Sequence, residues 1–159
     1  MWSNFYRPSK FSEVISNQVN CQILQNIVKQ KKFHSSYIFY GSYGSGKSTL
    51  ARVFSKAINC SNFNKELEPC DICPSCISIQ NQSNPDVIEQ DAGSSEGVSE
   101  IRELISLVSY APVSGIRKRV VIIDESHMLT AQASAALLKS LEESQSTIFI
   151  FATTDISKV

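Results

Sequence analysis

The sequence predicts an α/β fold, a parallel sheet flanked by helices, and three observations carry that prediction. Short runs of β-branched and aromatic residues alternate with segments of helical periodicity along the whole chain. The run "VVIID" at 120–124 is continuously apolar until its last residue, as expected of a strand buried on both faces. A glycine-rich stretch, "GSYGSGKS", joins a predicted strand to a predicted helix.

The elements follow in order. Residues 18–32 place Val19, Ile23, Leu24, Ile27 and Val28 at helical spacing, with two lysines at the C-terminal end where the helix dipole favours them. "YIFY", 37–40, reads as a strand. Lys47 to Ile58 reads as a helix with Leu50, Val53, Phe54 and Ala57 on one face. A cysteine-rich insert occupies 60–76. "DVIEQ", 86–90, is a second strand, and 98–110 is an amphipathic helix carrying Ile101, Leu104, Ile105 and Val108. After the strand at 120–124 comes a helix over 130–143, with Thr130 as its expected N-cap. "TIFIFATT", 147–154, is a fourth strand. The chain of 159 residues is long enough for one domain with a real core, taken as 1–159.

Composition narrows the function classes. Fifteen basic and fifteen acidic residues give zero formal net charge, which argues against gripping nucleic acid by bulk positive charge. The one dense basic run, Arg117 to Arg119, reads as a solvated loop leading into a strand. No apolar run is long enough to span a membrane, and the N-terminus lacks the pattern of a secretory signal, so a cytoplasmic location is expected.

Gly41 to Ser48 fits the pattern G-x-x-x-x-G-K-[ST]. Gly41, Gly44 and Gly46, with Ser42 and Ser45 between them, let successive backbone N–H groups turn toward phosphate oxygens. The helix opening at Lys47, Ser48 and Thr49 adds the positive end of its dipole. Lys47 would reach the β- and γ-phosphates, and the Ser48 hydroxyl would bind Mg²⁺. A chance glycine-rich turn is the competing explanation. The acidic pair that follows the 120–124 run argues against it. Asp124 sits where a buried strand emerges at its C-terminal end, where such folds bind ligands, and would share the magnesium with Ser48. Glu125 would polarise or deprotonate the attacking water. Thr153 and Thr154 end the fourth strand at the same crevice and could hydrogen-bond the γ-phosphate, although β-branched residues also simply suit a strand.

Cys60, Cys70, Cys73 and Cys76 form C-x9-C-x2-C-x2-C. C-x2-C spacing lets a tight turn present two thiolates to one ion, and four thiolates suit a closed, structural Zn²⁺ site. A redox dithiol and an iron–sulfur site are the rival readings. Cys21, apart on the first helix, reads as a small buried hydrophobe. His34 and His127 are given no proton-transfer role.

Together these motifs resemble the gamma/tau family of bacterial DNA polymerase III, AAA+ motors of the clamp loader. The resemblance runs from "YRPSKFSEVI" through "GSYGSGKSTLARVFSKAINC", the four-cysteine insert, "DVIEQDAGSSEGVSEIRELI", "YAPVSGIRKRVVIIDESHMLT" and "ALLKSLEES" to "FATTD". It implies an ATP-binding and ATP-hydrolysing subunit within the DNA polymerase III holoenzyme, a nucleotidyltransferase complex. Its implied partners are the other loader subunits, the sliding clamp, the polymerase core and, through the assembly, primer–template DNA. It also implies that the N-terminal segment covers the adenine and ribose, making Tyr6, Arg7, Pro8, Val14 and Ile15 candidate base contacts. The first sensor falls on Thr154, with Thr153 adjacent.

The chain departs from the family pattern at Ser16 and Asn17, where Gly-Gln is usual, and at Ser126, where a hydrophobic or small residue is usual. The chain stops at Val159, before the family's arginine-finger segment, fifth strand, helical lid and collar, so it is expected to be a truncated or split form of the motor's first domain, with the fifth strand and lid absent. In the family's sheet order this leaves "YIFY" as an open edge. Alternative functions are a nucleotide- and zinc-binding module without turnover, and a stand-alone helicase-like ATPase, which the cysteine insert and the "YRP" start disfavour.

Overall fold

Strands Ser36–Tyr40 (β1), Val87–Asp91 (β2), Arg119–Asp124 (β3) and Thr147–Thr153 (β4) form one sheet in the order β1-β4-β3-β2, every neighbouring pair parallel. The helices are Gln18–Gln30 (α1), Lys47–Asn59 (α2), Pro74–Gln80 (α3), Gly97–Val108 (α4) and Ala131–Glu143 (α5). This computed structural model describes residues 7–15, 17–63, 67–93, 97–108, 110–113, 118–143 and 146–159.

The alternation of side chains along a strand builds the two sides of the core. Val120, Ile122, Ile148 and Ile150 pack with Leu24 and Val28 of α1 and with Leu50, Val53, Phe54, Ala57 and Ile58 of α2. Val121, Ile123, Phe149 and Phe151 pack with Ile101, Leu104 and Val108 of α4 and with Ala133 and Leu137 of α5. A sheet sandwiched this way has no polar face, which is why β3 and β4 read as unbroken apolar runs. The register aligns Val120 with Ile148 and Ile122 with Ile150, so the strand ends come into line. Asp91 pairs with Asp124, and Tyr40 with Thr153, along one rim of the sheet.

Local chemistry sets the boundaries. Helix α1 stops at Gln30 because Lys31 turns left-handed (φ 54°) and its N–H bonds back to Val28. Thr130 caps α5, its Oγ1 accepting the Ala133 N–H at 3.2 Å, as its position predicted. Helix α4 ends at Val108 and β4 at Thr153, each shorter than the sequence pattern suggested. Strand β1 lies at the sheet edge, beside β4, with Ile38 and Tyr40 exposed. Helix α3 is an addition: Pro74, read from sequence as part of a cysteine turn, is its first residue. Among the described residues no helix is long and apolar enough to cross a membrane.

The basic run corrects its sequence reading. Arg119 is the first residue of β3 and only 3% exposed, not a solvated loop residue. Its guanidinium bonds the buried Asp86 carboxylate through Nη2 at 2.7 Å and Nε at 3.1 Å. It also donates to the carbonyls of Leu107, in the last turn of α4, and of Tyr110 and Ala111 just past it, while Asp86 Oδ2 accepts the Val113 N–H at 2.8 Å. One ion pair thus fixes the return of the chain from α4 to β3. Arg117 lies outside the described residues.

Removing one partner would strand a charge in a site with no water to solvate it. Arg119→Met is expected to lower the unfolding free energy by about 3–5 kcal/mol in urea melts. Adding Asp86→Asn to that variant should recover a large part of the loss.

Candidate nucleotide site and cysteine cluster

The glycine-rich loop fills the gap between β1 and α2 along the rim where the strands end. Gly44 and Gly46 have φ of 75° and 83°, a backbone that other residues adopt only under strain. Gly46 is the N-cap of α2 and offers no side-chain cap, so the first-turn N–H groups face the loop uncapped by a side chain. The Ser45 N–H bonds to the Ser42 carbonyl at 3.2 Å and closes the turn, and the Gly41 N–H reaches the Thr153 carbonyl at the end of β4. Lys47 Nζ donates to the carbonyls of Gly41 and Ser42 at 3.1 and 3.0 Å, which places the ammonium across the mouth of its own loop. Donors, dipole and ammonium together favour an anion.

Ser48, in the first turn of α2, donates its hydroxyl hydrogen to Asp124 Oδ2 at 2.5 Å across the end of β3. The hydroxyl and carboxylate predicted to share a cation are therefore neighbours. Their oxygen chemistry suits Mg²⁺, a hard cation that takes few protein ligands and completes its shell with water and phosphate. Glu125 follows in a left-handed conformation (φ 47°, ψ 42°), its N–H bonded to Asp124 Oδ1 at 3.0 Å. Its side chain is 27% exposed, with Oε2 3.4 Å from His127 Nδ1. Ser126 points the other way, into the sheet, and donates to the Ala152 carbonyl.

Sequence reasoning set His127 aside, and the structure places it between two site residues. Its Nδ1 lies 3.4 Å from the Thr153 hydroxyl. That hydroxyl also donates to the Asp155 carbonyl and accepts the Asp155 N–H, both at 3.0 Å. Thr153, fully buried, is thus the threonine that meets His127, whereas Thr154 lies past the strand and is partly exposed. Strand periodicity could have indicated this: Thr153 shares a face with Phe149 and Phe151.

The expected base contacts do not converge on one point. Tyr6 lies outside the described residues. Arg7 and Pro8 line a small cavity of about 50 Å³ with Thr49, Arg52, Lys56 and Gln80. Val14 is buried in the core beside α1 and α2, and Ile15 is 93% exposed. Asn17 reaches the loop, its Nδ2 3.4 Å from the Ser45 carbonyl. A larger cavity of about 350 Å³ runs between α1 and the open edge of β1 and ends at Ser45 and Lys47.

The four cysteines gather at the far end of α2. Cys60 is its C-cap, and Cys73 is the N-cap of α3. The four sulfurs all lie within 4.8 Å of one another, and Cys60, Cys73 and Cys76 are buried. Bonds of about 2.3 Å to one tetrahedral ion put sulfurs roughly 3.8 Å apart, so the cluster fits a closed metal site. The N–H groups of Cys70, Cys73 and Cys76 each lie 3.4 Å from the sulfur of the preceding cysteine, an arrangement that stabilises thiolates. Burial pushes the Cys60 and Cys76 thiols up. Burial also opposes ionisation of Cys73, but hydrogen bonds from the Ser61 hydroxyl and the N–H groups of Cys76 and Ser61 outweigh it and bring Cys73 to about 6.

The family model described as "DNA polymerase III, delta subunit" matches residues 16–159. The chain belongs to this family. It is 45% identical over 155 residues to the DNA polymerase III subunit tau of Bacillus subtilis, a match covering 97% of this chain and 27% of that protein. It is 43% identical to the subunit gamma/tau of Mycoplasma pneumoniae, covering 97% of this chain and 22% of that protein. The chain thus spans about a quarter of the length of these relatives. Among solved structures, RuvB of Thermotoga maritima superimposes with a TM-score of 0.62 at 17% identity, over 98% of this chain and 44% of that one. The fold is that of an AAA+ domain.

Proposed function

We propose that this chain is the ATP-binding and ATP-hydrolysing domain of a clamp-loader motor in a bacterial DNA polymerase III. The observation that carries the reading is the 2.5 Å contact between Ser48 and Asp124. It joins the phosphate loop to the acidic strand end at one point on the rim of the sheet. A magnesium nucleotide would use both groups, a hydroxyl and a carboxylate oxygen being ligands that suit the ion.

In this reading the loop N–H groups and Lys47 bind the β- and γ-phosphates and orient them for in-line attack. Ser48 and Asp124 hold the magnesium. When bound, the ion neutralises charge on the phosphate oxygens. Glu125 takes a proton from the attacking water. His127 and Thr153 steady the Glu125 carboxylate, and Thr153 or Thr154 senses the γ-phosphate. Hydrolysis is proposed to work through an assembly: loader subunits around a ring, a neighbouring arginine completing each site, and a sliding clamp and primer–template DNA as cargo and track. The cysteine cluster is proposed to hold one structural Zn²⁺, its four sulfurs leaving no open position for catalysis.

Three measurements test this reading. Lys47→Ala is expected to abolish ATP binding in a titration; unchanged affinity would refute the phosphate-loop assignment. Glu125→Gln is expected to keep ATP affinity within a few-fold while lowering hydrolysis stimulated by clamp and primed DNA by roughly 10²-fold or more. Binding without stimulated hydrolysis in the unaltered protein would mark a nucleotide-binding module, not a motor. Elemental analysis after purification under reducing conditions is expected to find about one zinc per chain, lost together in Cys60→Ser and Cys76→Ser.

A further inference from the structure

We infer that the cysteine insert is a clamp on the N-terminal segment, and that Glu68 and Asp71 are the residues through which it positions that segment beside the phosphate loop. This rests on the nucleotide reading above only for its consequence, not for the contact itself.

Glu68 lies two residues before Cys70 and is 7% exposed. Its two carboxylate oxygens accept the N–H groups of Phe11 and Ser12, at 2.8 and 2.9 Å. These N–H groups open the short 3₁₀ helix Phe11–Glu13, whose own N-cap, Lys10, supplies no side-chain cap. A residue 57 positions away therefore does the capping. Asp71 lies between Cys70 and Cys73. Its Oδ2 accepts the Ser9 hydroxyl at 2.9 Å, and its Oδ1 pairs with Lys56. Lys56, 2% exposed on α2, spends its other hydrogens on the Ser9 carbonyl at 3.1 Å and on Gln80 Oε1 at 2.6 Å. One ammonium thus ties together α2, the insert, α3 and the N-terminal segment.

The insert is the part that needs an outside constraint to do this. Leu67 and Asp71 both hold left-handed backbone (φ 61° and 59°), a strained state for side chains other than glycine. They bracket Glu68 and Cys70. Gathering four sulfurs on one ion fixes that loop from both sides. The carboxylates are then held where Ser9, Phe11 and Ser12 meet them. Arg7 and Pro8, next in the chain, lie beside Thr49. The insert therefore sets how the segment lies against the first turns of α2, directly after the glycine-rich loop.

The test is amide hydrogen exchange on the full chain under reducing conditions, metal-loaded and chelator-treated. Chelation is expected to lower protection of the Phe11 and Ser12 amides by about tenfold or more, the loss of a charge-assisted hydrogen bond, while the amides of Ile122 and Ile150 stay protected. Glu68→Gln, metal content unchanged, should lower protection at Phe11 or Ser12 in the same way. Unchanged protection at both amides after chelation, or loss shared equally with Ile122 and Ile150, would overturn the clamp. A parallel titration uses ATP and inorganic tripolyphosphate. Glu68→Gln should weaken ATP by about tenfold, and unchanged ATP affinity would overturn the segment's role at the site. If the unaltered chain bound neither, the nucleotide reading would fall, and the exchange result would still decide the clamp.

Discussion

Helix α2 is the member on which the other parts depend. Its apolar face, Leu50, Val53, Phe54, Ala57 and Ile58, is pressed against β3 and β4 from one side. That packing is strong enough to set its axis: Leu50, Val53, Phe54 and Ile58 each contribute about 1.5–3 kcal/mol when buried. With the axis set, Ser48 at one end meets Asp124, and Cys60 at the other end enters the sulfur cluster. Asn59 secures the far end, exchanging hydrogen bonds with both backbone groups of Lys118 at the start of β3. A single helix thus carries the end of the glycine-rich loop, the hydroxyl beside the carboxylate, and one corner of the cysteine cluster.

The features legible from sequence are those with a local cause. An apolar run ending in an acid can only be a buried strand with a polar tip, and the glycines of the phosphate loop advertise positive φ. Thr130 is a cap because threonine before a helical pattern has few other uses. Four cysteines at short spacing gather because chain length alone keeps them close. In each case the residues that cause the structure are neighbours in the chain.

What sequence did not show depends on partners far away. Arg119 looked like a loop residue because its partner Asp86 is 33 positions earlier and its carbonyl partners belong to the end of α4. Glu68 carries no sequence signal because the N–H groups it caps are in the N-terminal segment. Helix α3 was hidden since Pro74 suits both a turn and a helix start, and only seven residues follow the pattern. Thr153 and Thr154 were hard to rank because strand propensity treats them alike; the face each occupies separates them.

The site's remaining tension lies in Glu125. A glutamate gains nothing from left-handed backbone, which costs of order 1–3 kcal/mol. It is held there because Asp124 Oδ1 takes its N–H and because Ser126 must turn inward to reach Ala152. The result is that two adjacent acids point to different jobs: Asp124 toward α2 and its hydroxyl, Glu125 toward His127 and the end of β4. An ordinary extended strand would also send neighbours to opposite faces, but it would bury the second acid between sheet and α5. The left-handed turn instead leaves Glu125 partly exposed at the rim. Backbone strain at this one residue is therefore what sends two adjacent carboxylates to different neighbours, Ser48 and His127.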